Sequence, residues 1–440
     1  MRATAMLLAA ASAIAADVPF ELTVLDADVS YACGVYAVGD IDKDGHNDIV
    51  AGADNPRLSW RRFPGFTTHT IAATAAVGFE VHLADVDNDD DLDVLTSGAG
   101  ITWFENPLPD GNPAADTWTA HTFGSHGTSS SDGSHDFKVG DVNDDSLVDA
   151  VERDKERAWH FYLQKAEGGW DTFTVDAVNN TEGTALGDLD GDGDLDITDG
   201  LAWFECPADP ANETWTRHDL GPNHNQTRVA IGDLNGDQRP DILVGPAEFG
   251  GTLTCWYEAP PDPRSGTWEI DTLIVFDDPN FHTLRIGDID RDGANDIVLG
   301  VTGWEGNQSW EPGWRRHVSV FYNAHKDGSA WEEQRWHAER GVWQGVLGDV
   351  GSDGDLDLLT CDFRAGGQGE LWENKLETVP VASPSLSRPV LCRAALRCPA
   401  RVFDLRGRRH TGDMRPAPSE SGLRIAVGHG APSRVLILAE

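Results

Sequence analysis

The chain has 440 residues, 74 acidic against 33 basic, and a formal net charge of −41. That balance excludes nucleic acid and an anionic membrane surface as partners, because both need a basic face. The length suggests about two or three domains, although an all-β unit can use 200 residues or more as one domain.

The first segment, "MRATAMLLAAASAIAAD", has one Arg, an apolar run and small residues at its end. Residues 1–16 are therefore expected to be a secretory signal peptide, cleaved near Ala15 or Ala16. The run is too short to span a bilayer, and no later segment reads as transmembrane. The expected location is outside the cytoplasm, secreted or at the cell surface. "FELTVLDADV", from Phe20, then reads as a strand.

From Gly39 onward an acidic motif recurs: "GDIDKDGHNDI", "ADVDNDDDLDV", "GDVNDDSLVDA", "GDLDGDGDLDI", "GDLNGDQRPDI", "GDIDRDGANDI" and "GDVGSDGDLDL". Its first aspartates are Asp40, Asp85, Asp141, Asp188, Asp233, Asp288 and Asp349, spaced 45, 56, 47, 45, 55 and 61 residues apart. Seven copies at such a period signal a repeat architecture. In each copy an apolar run precedes the acidic loop and another follows it. A Trp- or aromatic-rich segment comes next ("ITWFENP", "LAWFECP", "TCWYEAP"), then a polar turn and a last β-like segment. Four short strands per repeat, with no sustained helical periodicity, predict an all-β, seven-bladed propeller over residues 17–375. Trp103, Trp203 and Trp256 recur in register and are expected between blades, whereas Trp304, Trp310 and Trp314 sit in an irregular insertion and are candidates for an exposed contact. The seventh repeat stops after its third strand, "GELWENK", so the N-terminal strand is expected to supply the fourth and close the ring.

Composition changes after Lys375. Residues 376–387 read as a Pro/Ser-rich linker, and from Arg388 onward ten Arg face four acidic residues, a surplus of +6. Residues 388–440 are expected to form a small β-sandwich-like module that adds nothing to the propeller. Of the six cysteines none forms a CxxC pair. Cys33 and Cys361 fall on blades that neighbour each other in a closed ring, which makes a disulfide between them geometrically plausible. Cys392 and Cys398 are candidates to staple the tail or to remain free.

In each acidic loop, side chains at positions 1, 3 and 5, a carbonyl at 7 and a carboxylate at 9 can converge on one cation. The expected ion is calcium, which takes six to eight oxygens in flexible geometry; soft metals would want Cys or His. The side-chain ligands would be Asp40, Asp42, Asp44 and Asp48; Asp85, Asp87, Asp89 and Asp93; Asp141, Asn143, Asp145 and Asp149; Asp188, Asp190, Asp192 and Asp196; Asp233, Asn235, Asp237 and Asp241; Asp288, Asp290, Asp292 and Asp296; and Asp349, Asp353 and Asp357. Gly351 replaces the third ligand of the seventh loop, which should be the weakest site.

These loops resemble the FG-GAP/VCBS repeats of seven-bladed propellers found in integrin α-subunit heads, some fungal lectins and many secreted bacterial proteins. The resemblance covers roughly residues 20–375 and implies a calcium loop between the first and second strands of each blade. The tail segments "VFDLRGRR" and "SGLRIAV" resemble the C-terminal sorting module of type IX secretion substrates.

If the inner strand runs down into the acidic loop, residues six before each first aspartate crown the central channel: Gly34, Phe79, His135, Glu182, Thr227, His282 and Trp343, next to Glu80, Asp136, Arg228 and Gln344. His126 and His224 precede them. His135, Glu182, Arg228, His282 and Trp343 are the candidate ligand-binding residues. The expected function is a monomeric, secreted binding or adhesion module for a glycan or extracellular protein. The alternative is a sugar lyase or dehydratase using a His/carboxylate site in the funnel, where His135 and His282 would share a metal.

Overall fold

The computed structural model describes residues 17–29, 35–52, 58–75, 77–78, 80–98, 100–124, 136–153, 158–177, 183–221, 227–247, 253–275, 281–301, 317–336, 342–361, 367–376, 390–392, 423–426 and 436–439. The predicted signal peptide, Cys33, the blade-6 insertion with its three tryptophans, the linker beyond Leu376 and most of the tail lie outside them. Among the described residues there is no helix, and therefore none long and apolar enough to cross a membrane.

Seven four-stranded antiparallel sheets form the blades of a propeller. The inner strands are Val35–Gly39, Val81–Ala84, Asp136–Gly140, Ala185–Gly187, Thr227–Gly232, Phe281–Gly287 and Gln344–Gly348. Each ends one residue before the first aspartate of its loop. Each second strand begins on the ninth-position aspartate: Asp48, Asp93, Asp149, Asp196, Asp241, Asp296 or Asp357. The loop is thus a wide hairpin whose ends are locked in register, as in Gly39 opposite Asp48 and Gly287 opposite Asp296. In the seventh sheet, Phe20–Val29 pairs antiparallel with Gly367–Asn374, from Phe20 opposite Asn374 to Val29 opposite Gly367.

The core is a ring of seams. Each seam holds its own apolar cluster between consecutive blades, from Trp60 with Phe104 and Trp118 between blades 1 and 2 to Tyr36 and Ile49 with Leu359 and Leu371 between blades 1 and 7. Covering on both faces explains why second strands such as "DIVAG" and "DIVLGV" are buried at every residue instead of alternating. Trp203 and Trp256 are buried in the seams to the following blades, and Trp103 packs against the second seam, as expected. The glycine before the first aspartate has a packing reason. A Cβ on Gly348 would lie 2.6 Å from Val38, and one on Gly39 would lie 2.8 Å from Leu83, so the next blade's aliphatic side chain needs that space.

Polar hooks reinforce the seams. The amide of Asn106 donates to the carbonyl of Ile41 one blade earlier (3.0 Å). Asn323 does the same to Leu234 (2.9 Å) and Asn374 to Ile289 (2.8 Å). At the 7–1 seam, Asn47 donates to the carbonyl of Asp349 (2.8 Å), and Gly351 N–H donates to the carbonyl of Asn47 (2.9 Å).

Cys361 is a free thiol buried in the cluster with Tyr36 and Trp343; Cys33, its expected disulfide partner, lies outside the described residues. One feature differs from expectation. In the tail, Val390–Cys392 pairs with Ala330–Glu332 as a fifth strand on the sixth sheet, and Leu423–Ala426 pairs with Leu436–Ala439.

Candidate metal loops and the central channel

All seven acidic loops are built by the same hydrogen bonds. The first aspartate accepts the amides four and five residues later, as Asp40 does from Asp44 (3.0 Å) and Gly45 (2.9 Å). The fifth-position carboxylate accepts the amide two residues on, as Asp292 does from Ala294 (2.9 Å). The ninth-position carboxylate is buried and spent on two backbone amides. One is the second loop residue; the other lies at or just beyond the end of the third strand. Asp196 accepts from Leu189 (2.9 Å) and Cys206 (2.9 Å), and Asp357 accepts from Val350 (2.9 Å) and Asn374 (2.7 Å). This aspartate therefore ties three strands of the blade together whether or not a cation is bound.

The loop turns through left-handed backbone at positions 4 and 6. Where position 6 is not glycine the conformation persists, at Asp90 (φ 71°), Ser146 (φ 69°) and Gln238 (φ 68°). The turn is thus imposed by the carboxylate–amide bonds and not by glycine's freedom.

In four loops the carboxylate oxygens at positions 1, 3 and 9 lie within 4.8 Å of one another: Asp40, Asp42 and Asp48; Asp85, Asp87 and Asp93; Asp188, Asp190 and Asp196; Asp288, Asp290 and Asp296. These clusters could hold a metal ion, and they are the four loops with aspartate at every side-chain position. The donor set is oxygen throughout, which suits a hard cation. Two buried third-position oxygens, Asp42 Oδ1 and Asn143 Oδ1, have no hydrogen-bond partner, as an oxygen reserved for an ion would. In the asparagine loops the amide nitrogen turns away to the fifth-position carboxylate, Asn143 to Asp145 and Asn235 to Asp237 (3.0 Å each).

Burial pushes the ninth-position carboxyls far above the usual carboxylate range, to about 8 for Asp93, Asp196 and Asp296 and about 7 for Asp48, Asp149, Asp241 and Asp357. The two amide bonds pull down, and neighbouring loop carboxylates push up. Internal cations supply part of the missing counter-charge. Arg62 meets Asp42 (2.8 Å) and Asp44 (2.9 Å). Arg264, from blade 5, meets Asp190 and Asp192 of blade 4 (2.6 Å each) and Glu205 (2.9 Å). Lys326 pairs with Asp292 (3.3 Å) and Arg239 with Asp237. Sequence reasoning missed these partners; only the local Arg239, two residues from Asp237, left a signal in the chain order.

A second candidate site lies where residues from all seven inner strands meet, around a cavity of about 480 Å³. The residues three before each first aspartate all line it, among them His82, Lys138 and Arg285, and most of those five before do so too, including Glu80, Asp136, Arg228 and Gln344. Of the residues predicted six before, only His282 and Trp343 have described side chains. His282 reaches the cavity through a register shift between Phe281 and Thr283. Trp343 does not line it. Its indole is buried in the seam and stacks on His282, with centroids 3.8 Å apart. Gly34, Phe79, His126, His135, Glu182 and His224 lie outside the described residues, as does the side chain of Thr227.

The channel carries a connected charge network. Glu80 accepts both Lys138 contacts (2.6 and 2.7 Å) and the amide of Phe137 (2.9 Å). Burial pushes its carboxyl up, but the Lys138 ammonium and His82 together hold it well below the usual range. Asp136 accepts from Arg228 (3.1 Å) and from the amide of Gly183 (3.0 Å). Arg228 also reaches His282 Nδ1 (3.0 Å). His82 contacts the carbonyl of Phe137 (2.7 Å). Alternation from Glu80 to His82 and from Asp136 to Lys138 was the signal that would have found the second layer.

Residues 40–96 match a family model described as an FG-GAP-like repeat. No curated protein matches the chain. Among solved structures, BBS1N in complex with ARL6DN is similar in fold. The mercury-soaked form is 12% identical, with a TM-score of 0.52, covering 81% of this chain and 96% of that one. The lead-soaked form is 10% identical, with a TM-score of 0.51, covering 81% and 97%.

Proposed function

We propose that this chain is a secreted, calcium-stabilised propeller that serves as a binding or adhesion module for a glycan or extracellular protein. The observation that carries the reading is the axial cavity. Its volume of about 480 Å³ lies in the range of small-molecule sites, and it brings charged side chains from several blades to one place. Calcium is favoured as the loop cation because the donors are carboxylate and amide oxygens only, in clusters too close to remain uncompensated. Pairing of Phe20–Val29 with the last repeat supports closure of the ring by the N-terminal strand. Export is supported by the character of residues 1–16, and type IX sorting by the two tail segments.

The enzymatic alternative has less support. His282 is engaged by Arg228 and Trp343, an arrangement that holds the ring in place rather than opening it to a metal. A glycan array probed with calcium-loaded and chelator-treated protein tests the reading. Calcium-dependent retention of a defined glycan class is the expected result. Failure to retain any glycan or extracellular-matrix protein in either state would refute it.

A further inference from the structure

We propose that the central channel binds a small monoanion through Arg285, specifically the carboxylate of an acidic sugar. The proposal deepens the binding-module reading and rests on it.

The protein carries a net charge of −41, yet its axis does not share that sign. Among the described residues, Lys138, Arg228 and Arg285 line the cavity against Glu80 and Asp136, which leaves one positive charge in surplus when the histidines are neutral. Both carboxylates are already committed. Glu80 is held by Lys138 at 2.6 and 2.7 Å, and Asp136 by Arg228 at 3.1 Å. Arg285 forms no ion pair among the described residues; it donates through Nη1 to the carbonyl of Leu284 at 2.9 Å. A guanidinium has five N–H donors, so most of its fork remains to be used.

A half-buried cation without a carboxylate partner among the described residues is costly, and burial does pull the Arg285 pKa down, although a guanidinium keeps its proton at neutral pH. A ligand carboxylate would accept two parallel bonds from the fork and cancel the surplus. The charge count also sets the valence. A monoanion leaves the cavity neutral, whereas a dianion would put net negative charge beside Glu80 and Asp136. Those two carboxylates can accept from hydroxyl groups, Gln344 can accept or donate, and a cavity of about 480 Å³ has room for a hexose.

The test is calorimetric titration of the full calcium-loaded chain with sodium glucuronate and with glucose, which lacks the carboxylate. Sodium sulfate serves as a dianion control. Glucuronate should bind at least about tenfold more tightly than glucose or sulfate. Arg285→Gln should lower glucuronate affinity at least about tenfold and leave any glucose binding and the Tm in place. Arg285→Lys should keep the charge, lose the fork and fall between the two, which preserves the test if the glutamine variant folds poorly. Equal binding of glucose and glucuronate would overturn the proposal while leaving the module reading intact. So would tighter sulfate binding, or glucuronate binding that Arg285→Gln does not change. Absence of glucuronate binding at millimolar concentration would also overturn it, whatever the glycan array retains. Glucuronate binding lost in Arg285→Gln, together with an array that retains nothing, would uphold the site and refute the wider adhesion role.

Discussion

Gly351 of the seventh acidic loop lies directly against the Phe63 ring of the first blade. A Cβ at that position would sit 2.7 Å from the ring, and the backbone is left-handed (φ 86°). The seventh loop has thus given up its third-position oxygen to let the last and first blades meet. Gly351→Asp restores the acidic pattern on paper but should not create a better metal site. It should destabilise by about 1–3 kcal/mol through overpacking and backbone strain. A melt in calcium that rises instead would show that the missing ligand, and not the seam, governs this loop.

The ninth-position aspartates should be structural first. Asp196→Ala leaves the buried amides of Leu189 and Cys206 without acceptors, at a cost of about 2–5 kcal/mol in calcium and in chelator alike. Asp190→Asn removes a charge facing Arg264 and the proposed ion without touching those amides. Its main effect should be on calcium affinity, with only the small loss of one half-exposed ion pair in chelator. Chemical denaturation of both variants, with and without calcium, separates the roles. Equal effects of the two variants in chelator would contradict the assignment.

The metal-free protein should weaken as pH rises. The folded chain holds the ninth-position protons up to about pH 7 to 8, whereas the unfolded chain releases them near the ordinary value of 3.8. Between those limits the folded state binds more protons, so each step up in pH costs stability, and the contribution is lost once the folded pKa is passed. A bound cation takes over as counter-charge. Tm should therefore fall from pH 5 to pH 8 in metal-free protein and change much less with calcium present. Parallel pH profiles in the two states would disprove this.

Position 6 offers a gain. Ser146 and Gln238 hold left-handed backbone that glycine adopts without strain, while glycine also costs more entropy on folding. Ser146→Gly and Gln238→Gly should each stabilise by about 0.5 kcal/mol, read as a higher denaturation midpoint at unchanged slope. A loss of similar size would mean that the side chains make contacts worth more than the strain.

The local part of the candidate site was readable because its bonds are local. Asp40 bonds amides four and five residues away and Asp48 bonds one seven back, so nine residues contain most of the loop's structure. The axis was harder. Whether Arg228 or Thr227 faces the channel depends on strand phase, and in blade 6 an irregularity after Phe281 shifts that phase. Arg264 stands 72 residues from the Asp192 that it pairs with, and no local spacing rule connects them.

By itself the sequence determined the seven repeats, the limits of the first and second strands and the oxygen character of the loops, since aspartate spacing and apolar runs act within one hairpin. Tertiary structure alone decided what happens where blades meet. It left Cys361 as a buried thiol, traded a ligand at Gly351 for contact with Phe63, and placed Arg285 on the axis without an ion-pair partner among the described residues. Those outcomes depend on ring closure, which brings together side chains from opposite ends of the chain and sets which face of each inner strand looks inward.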